Sequence, residues 1–154
     1  MSRVAVGKRI LVVDDCIDLR RLVRHHLEGV GYQVFTASNI FEGIRIIRSE
    51  PLDCVICDLR MPEGDGTELV KEIRAEEQFA DLPILMLSAV GALHTIRDAK
   101  QAGATAWIIK PYEREIFIDA VNALTVGREP RVNQATSLQN HNTERHHRQH
   151  ELNP

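Results

Sequence analysis

The stretch CVICDLRMPEGDG at residues 54–66 decides the fold, because an apolar run ends there in a carboxylate, Asp58, and a loop of turn-forming residues follows. Two other short apolar runs also end in charged residues, ILVVDD at 10–15 and WIIKP at 107–111. Such runs are typical of strands buried on both faces of a parallel sheet. The carboxyl ends of parallel strands meet at one edge, where open α/β sheets bind their ligands, so we expect these charged residues to converge.

Apolar runs and segments with helical spacing alternate five times along the chain. The predicted strands are 10–13, 33–36, 53–57, 84–87 and 106–109, and the predicted helices are about 17–28, 40–48, a segment following 65–67, 92–102 and 113–125. Strands that alternate with helices of this length favour a parallel sheet covered on both faces, because right-handed crossovers need a helix to return the chain. The prediction is an α/β fold with a doubly wound five-stranded parallel sheet.

Length and charge limit the classes of protein to consider. A chain of 154 residues has the size of one domain, and its formal net charge of −3 gives no general attraction to nucleic acid or to an anionic membrane. The sequence shows neither a signal-peptide pattern nor an apolar stretch of membrane-spanning length, so a cytoplasmic protein is expected. We predict a flexible N-terminus at 1–7, a folded domain at 8–126 and a disordered, polar, His-rich tail at 127–154.

The cysteines are Cys16, Cys54 and Cys57, and the last two form a C-x-x-C pattern. On a strand, residues three apart point to opposite faces and lie about 10 Å apart, which is beyond the reach of a disulfide. No second Cys/His pair at zinc spacing lies near them, so we interpret both as small buried core residues.

Polar side chains follow the predicted strands at their carboxyl ends. Asp14 and Asp15 follow the first strand, Asp58 ends the third, Ser88 ends the fourth and Lys110 ends the fifth. Carboxylate oxygens suit Mg²⁺, and packed carboxylates repel one another without a cation. With a hydroxyl and an ammonium nearby, this set suits phosphoryl transfer to Asp58. The alternative for the acidic pair is a helix N-cap with a first-turn carboxylate.

In order and spacing, these residues resemble the receiver domain of two-component response regulators. The resemblance covers about residues 8–125 and lies in five pieces: Asp14-Asp15, Asp58 with Met61-Pro62 and Gly66 downstream, Ser88-Ala89, Trp107, and Lys110-Pro111. It implies a flavodoxin-like (βα)5 fold. The chain departs from the family at Trp107, where the family usually carries Tyr or Phe.

The resemblance also implies roles for individual residues. Asp58 would accept a phosphoryl group from a histidine kinase or a histidine phosphotransfer protein. Asp14 or Asp15, or both, would hold Mg²⁺ together with Asp58 and the backbone carbonyl of Arg60. The phosphoryl oxygens would be stabilised by Ser88, the backbone N–H of Ala89 and Lys110. Ser88 and Trp107 would form the switch, and the Lys110–Pro111 peptide bond would be cis.

The implied function is a single-domain response regulator that signals through protein contacts. It would have only weak self-catalysed phosphoryl transfer and autodephosphorylation, its output partner is unknown, and a homodimer would use the fourth helix, fifth strand and fifth helix. The alternative is a receiver-fold adaptor that works without phosphorylation. A flavodoxin-like cofactor binder would need a phosphate cradle after the first strand. A dehalogenase-type phosphatase would need an aspartate where the chain has Arg60.

The predicted first helix has an apolar face and a basic face. Its apolar face contains Leu19, Leu22, Val23 and Leu27, and its basic run contains Arg20, Arg21 and Arg24. We interpret the basic run as a solvated face, although in the resembled family kinase partners dock on this helix.

Overall fold

The computed structural model describes residues 7–62, 65–89 and 93–125. Five strands alternate with five α-helices, and a short 3-10 turn at Glu77–Phe79 precedes the fourth strand. The elements are β1 (Arg9–Val13), α1 (Ile17–Gly29), β2 (Gln33–Ala37), α2 (Ile40–Ser49), β3 (Cys54–Asp58), α3 (Gly66–Arg74), β4 (Ile84–Ala89), α4 (Leu93–Ala102), β5 (Ala106–Lys110) and α5 (Arg114–Thr125). All strand pairs are parallel, in the order β2-β1-β3-β4-β5. The predicted α/β fold with a doubly wound five-stranded parallel sheet is confirmed.

The predictions for the two ends of the chain fall mostly outside the described residues. The expected disordered tail at 127–154 lies there entirely, as does the expected flexible N-terminus apart from Gly7. The backbone N–H of Gly7 donates to the carbonyl of Gly31 at 2.9 Å.

Local sequence signals explain where several helices begin and end. Asn39 caps α2 by accepting from the N–H of Glu42 at 2.8 Å, and Asp65 caps α3 by accepting from the N–H of Thr67 at 3.0 Å. After α4, Gly103 takes a φ of +119°, which lies in the left-handed region that favours glycine. Asn39 therefore fixes the start of α2, and Gly103 lets the chain turn after the end of α4.

The sheet separates two apolar layers. One contains Cys57 and Trp107 beneath α2, α3 and α4, and the other contains Cys54 and Phe117 beneath α1 and α5. Cys54 and Cys57 therefore lie on opposite faces, and both side chains are buried. Burial raises the pKa of the Cys57 thiol, and the neighbouring Asp58 carboxylate raises it further, so it stays neutral at physiological pH.

The predicted apolar face of α1 is only partly correct. Val23 and Leu27 are buried, but Leu19 is 38% exposed and Leu22 is 49% exposed. Ile116 on α5 is likewise 40% exposed. Helical periodicity indicates which face of a helix is apolar, but how much of that face is buried depends on how the helix is rotated against the sheet. In α1 the buried part is narrower than the predicted apolar face.

A polar contact ties the end of α5 to the start of β2. The hydroxyl of Tyr32 lies 3.0 Å from the hydroxyl of Thr125 and is also hydrogen-bonded to the side chain of Asn122. Burial raises the pKa of Tyr32 to about 12, so the phenol stays neutral. Because a neutral phenol donates one proton and accepts another hydrogen bond, it serves both partners.

Candidate functional site

The site lies where the strand order reverses, between β1 and β3. The register pairs Val13 with Cys57, so Asp14 and Asp58 follow neighbouring positions at the carboxyl edge of the sheet. Parallel α/β sheets open a crevice at such a switch point, because the crossovers on its two sides leave in opposite directions. The register between β4 and β5 brings Ser88 and Lys110 to the same edge.

Three carboxylates converge at this edge. Asp14 is 3% exposed and Asp58 is 8% exposed, whereas Asp15 is exposed to solvent. One carboxylate oxygen from each lies within 4.8 Å of the other two. The structure therefore brings together all three aspartates that the sequence predicts as metal ligands.

Lys110 provides the positive charge nearest to Asp58. Its Nζ lies 3.0 Å from Asp58 Oδ1, across the width of β4. Burial raises the pKa of Asp58, the hydrogen bond and charge of Lys110 lower it, and the charges of Asp14 and Asp15 raise it again. The net pKa shift is upward, so the ionised carboxylate is destabilised here without a further cation.

The loop after β1 is tied down at Asp14. Its backbone N–H donates to the carbonyl of Ala37 at 3.1 Å, and its Oδ1 accepts from the N–H of Cys16 at 2.9 Å. Its carbonyl accepts from Nη1 of Arg20 at 2.6 Å. The second carboxylate oxygen of Asp14 is not used in these contacts and is the one suited to a cation.

The loop after β3 folds back closely on the end of β3 at Gly66. The N–H of Gly66 donates to the carbonyl of Leu59 at 2.8 Å. A Cβ at this position would lie 2.8 Å from the carbonyl oxygen of Asp58 and 2.5 Å from Cε of Met86. The sequence needs glycine here because the backbone of α3 approaches that of Asp58 too closely for any side chain.

The remaining predicted residues lie around this edge. Ser88 is buried and its hydroxyl donates to the carbonyl of Ala89 at 3.2 Å, while Ala89 itself is exposed. The Lys110–Pro111 peptide bond is cis. Trp107 is 3% exposed, with Nζ of Lys100 5.5 Å from its ring centroid, so the ring already lies in the interior.

Arg60 is exposed and lies two residues after the end of β3. The role of its backbone carbonyl as a metal ligand stays a prediction.

Sequence reasoning missed two residues at this site. Tyr112 is half-buried and stacks on Phe117 with 5.3 Å between ring centroids, and burial raises its pKa, as do the charges of Asp14 and Asp58. Its position just past the Lys-Pro pair was the available signal. Arg20 was interpreted as part of a solvated face, and its contact with a backbone carbonyl leaves no trace in the sequence.

Residues 10–122 match the family described as the response regulator receiver domain. The chain belongs to this family. It is 34% identical over 111 residues to the chemotaxis protein CheY homolog of Campylobacter jejuni, a match that covers 71% of this chain and 85% of that protein. It is 30% identical over 116 residues to sporulation initiation phosphotransferase F of Bacillus subtilis, with 75% and 92% covered.

A solved receiver structure agrees in fold. The chemotaxis response regulator CheY4 of Vibrio cholerae has a TM-score of 0.71 to this chain at 34% identity, covering 75% of this chain and 97% of that one. Other relatives are longer. The match to the probable transcriptional regulator ycf27 of Cyanophora paradoxa is 37% identical over 105 residues and covers 68% of this chain but 43% of that protein. The chain thus spans less than half the length of that relative.

The acidic pocket of this receiver domain fits Mg²⁺. An octahedral Mg²⁺ places neighbouring oxygens about 3 Å apart and opposite oxygens about 4.2 Å apart, so three donor atoms already within 4.8 Å of one another need to close by at most about 2 Å. The donors are hard oxygens, and one of them, from Asp15, is open to solvent, which suits an ion that keeps several waters.

Within the described residues, no helix is long and apolar enough to cross a bilayer.

Proposed function

We propose that this chain is a response regulator receiver in which Asp58 accepts a phosphoryl group from a histidine kinase or a histidine phosphotransfer protein. The observation that carries the proposal is the 3.0 Å contact between Lys110 Nζ and Asp58 Oδ1 beside two further carboxylates. A structural ion pair alone needs no extra acidic residues, and here the pKa of Asp58 is raised despite Lys110. A site that carries such excess negative charge is suited to a cation and a transferring phosphoryl group.

In the proposed reaction, a carboxylate oxygen of Asp58 attacks the phosphorus atom of the donor. The bond from phosphorus to the donor's imidazole nitrogen breaks, that nitrogen keeps the electron pair, and an acyl phosphate forms on Asp58. Lys110 favours the ionised carboxylate that the attack requires. The ammonium of Lys110, the hydroxyl of Ser88 and the N–H of Ala89 then contact the phosphoryl oxygens.

The residues that would hold Mg²⁺ are Asp14, Asp15, Asp58 and the backbone carbonyl of Arg60. Bound there, the ion supplies positive charge that offsets the carboxylates and the phosphoryl oxygens. The chain's own part is to hold Asp14 through the Cys16 N–H and to keep Asp58 buried.

The proposed output passes through protein contacts on the face formed by α4, β5 and α5, either to a partner or to a second copy of the chain. Leu93 and Ile116 are exposed apolar residues of α4 and α5, at 52% and 40%. Ser88 and Trp107 are proposed as the coupled pair that changes this face.

The chemistry at Asp58 is limited to weak self-catalysed transfer and autodephosphorylation, and we place the protein in the cytoplasm with no direct nucleic-acid or membrane contact.

A labelling experiment tests the assignment of Asp58. Incubation with acetyl phosphate and Mg²⁺ is expected to add one phosphoryl group, detected by intact mass, and Asp58→Asn is expected to add none. Asp18→Asn is the matched control, because Asp18 is an exposed carboxylate in the first turn of α1, and it should label as the wild type does. Full labelling of Asp58→Asn would exclude Asp58 as the acceptor. An unlabelled wild type would favour the adaptor that works without phosphorylation.

A further inference from the structure

Arg20 does not belong to the solvated face of α1. Its side chain turns back over the first turn of the helix, and Nη1 donates to the carbonyl of Asp14 at 2.6 Å. The neighbouring Arg21 is exposed, and Arg24 forms an exposed i,i+4 ion pair with Glu28 at 2.9 Å. Of the three arginines in this basic run, Arg20 is the one that contacts the loop carrying the acidic pair.

The contact acts on the peptide group between the two aspartates. The carbonyl of Asp14 and the N–H of Asp15 belong to one planar unit, so a donor that fixes the carbonyl direction also fixes where the backbone of Asp15 leaves. A charge-assisted hydrogen bond at this distance is stronger and more directional than a neutral one. Arg20 therefore restrains the orientation of the peptide group that sets the two carboxylates relative to each other.

Besides the Arg20 contact, Asp14 is held by the carbonyl of Ala37, which accepts from its N–H, and by the N–H of Cys16, which donates to its Oδ1. The N-cap of α1 is Cys16, which makes no side-chain cap hydrogen bond, whereas Asn39 and Asp65 cap α2 and α3. A helix start without a side-chain cap is less stable than a capped one. The backbone of Asp14 is held from β2 through Ala37, and the Arg20 contact holds it from α1.

Arg20 also lies near the loop after β2. The pKa of Glu42 is lowered chiefly by the backbone and side-chain hydrogen bonds from Ser38, and the charges of Arg45 and Arg20 lower it further. Glu42 accepts from the N–H of Ser38 at 2.7 Å, directly after β2. The charge of Arg20 therefore also acts on the carboxylate that binds the loop after β2.

We propose that Arg20 is a positioning residue, which holds the Asp14–Asp15 peptide group and thereby sets both carboxylates for Mg²⁺. The inference rests on the proposed function, since it assigns both aspartates to the metal. The positioning role and simple charge repulsion predict opposite changes in Mg²⁺ affinity when Arg20 is removed. Removing a positive charge beside a cation site should tighten Mg²⁺ binding by Coulomb's law, whereas losing the restraint should weaken it.

The test compares Arg20→Ala with Arg21→Ala. Each substitution removes one positive charge from neighbouring positions of α1. Mg²⁺ affinity is measured by isothermal titration at one fixed ionic strength, with Asp15→Ala as the variant that loses a ligand. Arg20→Ala should bind Mg²⁺ on the order of tenfold more weakly, the lower end of the scale of a lost charge-assisted hydrogen bond. Arg21→Ala should bind as the wild type or slightly more tightly.

Amide hydrogen exchange without metal supplies a second measurement. The N–H groups of Asp15 and Cys16 should exchange faster in Arg20→Ala and keep wild-type rates in Arg21→Ala. If Arg20→Ala proves poorly folded by thermal unfolding, Arg20→Lys takes its place, because it keeps the charge but lacks the planar guanidinium. It should also bind Mg²⁺ more weakly.

The outcomes separate the two proposals. If the wild type binds Mg²⁺ and Arg20→Ala binds it equally or more tightly, the positioning role is refuted while the phosphoacceptor assignment stands. If the wild type binds no Mg²⁺, both are refuted. Weaker binding in Arg20→Ala with faster exchange at Cys16 and no change in Arg21→Ala supports the positioning role.

Discussion

Replacing Gly66 with alanine should damage both stability and phosphorylation, because the new methyl group has no room. It would lie 2.5 Å from Cε of Met86 and 2.8 Å from the carbonyl oxygen of Asp58. Carbon atoms pack favourably at about 3.5–4.0 Å, so Met86 must retreat by roughly 1 Å. The flexible end of Met86 can move at small cost. The carbonyl belongs to the backbone of Asp58, so the end of β3 must move with it.

The magnitude follows from these two contacts. Overpacking of a core position costs about 1–3 kcal/mol of unfolding free energy, and we expect Gly66→Ala to fall in that range. A displacement of the reacting group by about 1 Å costs on the order of 100-fold in rate. Since Asp58 must move by about half that distance, we expect roughly a tenfold slower phosphorylation by acetyl phosphate.

Gly29→Ala is the matched control. Gly29 is the last residue of α1, and a Cβ there meets nothing within 4 Å. The same chemical change should stabilise the protein by about 0.5–1 kcal/mol, because alanine loses less conformational freedom in a helix than glycine. Urea unfolding gives the free energies, and intact mass against time gives the rates. A Gly66→Ala variant within about 0.5 kcal/mol of wild type and with a wild-type rate would refute the reasoning.

Three further outcomes are expected. Without metal, Asp58→Asn should have a higher melting temperature than the wild type at about pH 8, and the difference should vanish as the pH falls toward 3.8, the ordinary pKa of an aspartate. Burial raises the pKa of Asp58 in the folded protein, so the wild type loses unfolding free energy as the pH rises through that raised pKa. A lower melting temperature of Asp58→Asn at about pH 8 contradicts this. Tyr32→Phe removes the hydroxyl that donates to the buried side-chain oxygen of Asn122 and should lower the unfolding free energy by about 1–3 kcal/mol in urea, with normal labelling of Asp58. Ser88→Ala should still be labelled but show a smaller Trp107 fluorescence change, and a full-size change would exclude Ser88 from the switch.

The features that the sequence predicted share a physical basis in local patterns. Five apolar runs alternating with helical spacing predict the parallel sheet, and residues at the ends of those runs must meet at one edge. The proximity of Asp58 and Lys110, 52 positions apart in the chain, follows from that topology alone. The glycine at 66 was noted for its place in a motif, and its physical cause appears only in the contacts with Asp58 and Met86.

The features that the sequence did not predict depend on tertiary geometry. The exposure of Leu22 depends on how α1 is rotated against the sheet, which an apolar stripe does not specify. Arg20 contacts a backbone carbonyl, and every residue has one, so no residue type marks the target. Tyr32 and Asn122 are 90 positions apart, and nothing in either segment alone indicates that they share a hydrogen bond.

The contact of Tyr32 with Thr125 determines where a signal must travel. Tyr32 directly precedes β2, so the contact lies at the amino edge of the sheet, opposite Asp58. The 12 residues of α5 span about 18 Å, and the chain leaves the described fold from an anchored point at that distance from the chemistry. A change at Asp58, such as the phosphorylation that we propose, therefore reaches Thr125 through α5 only if the helix moves as a rigid body over this length.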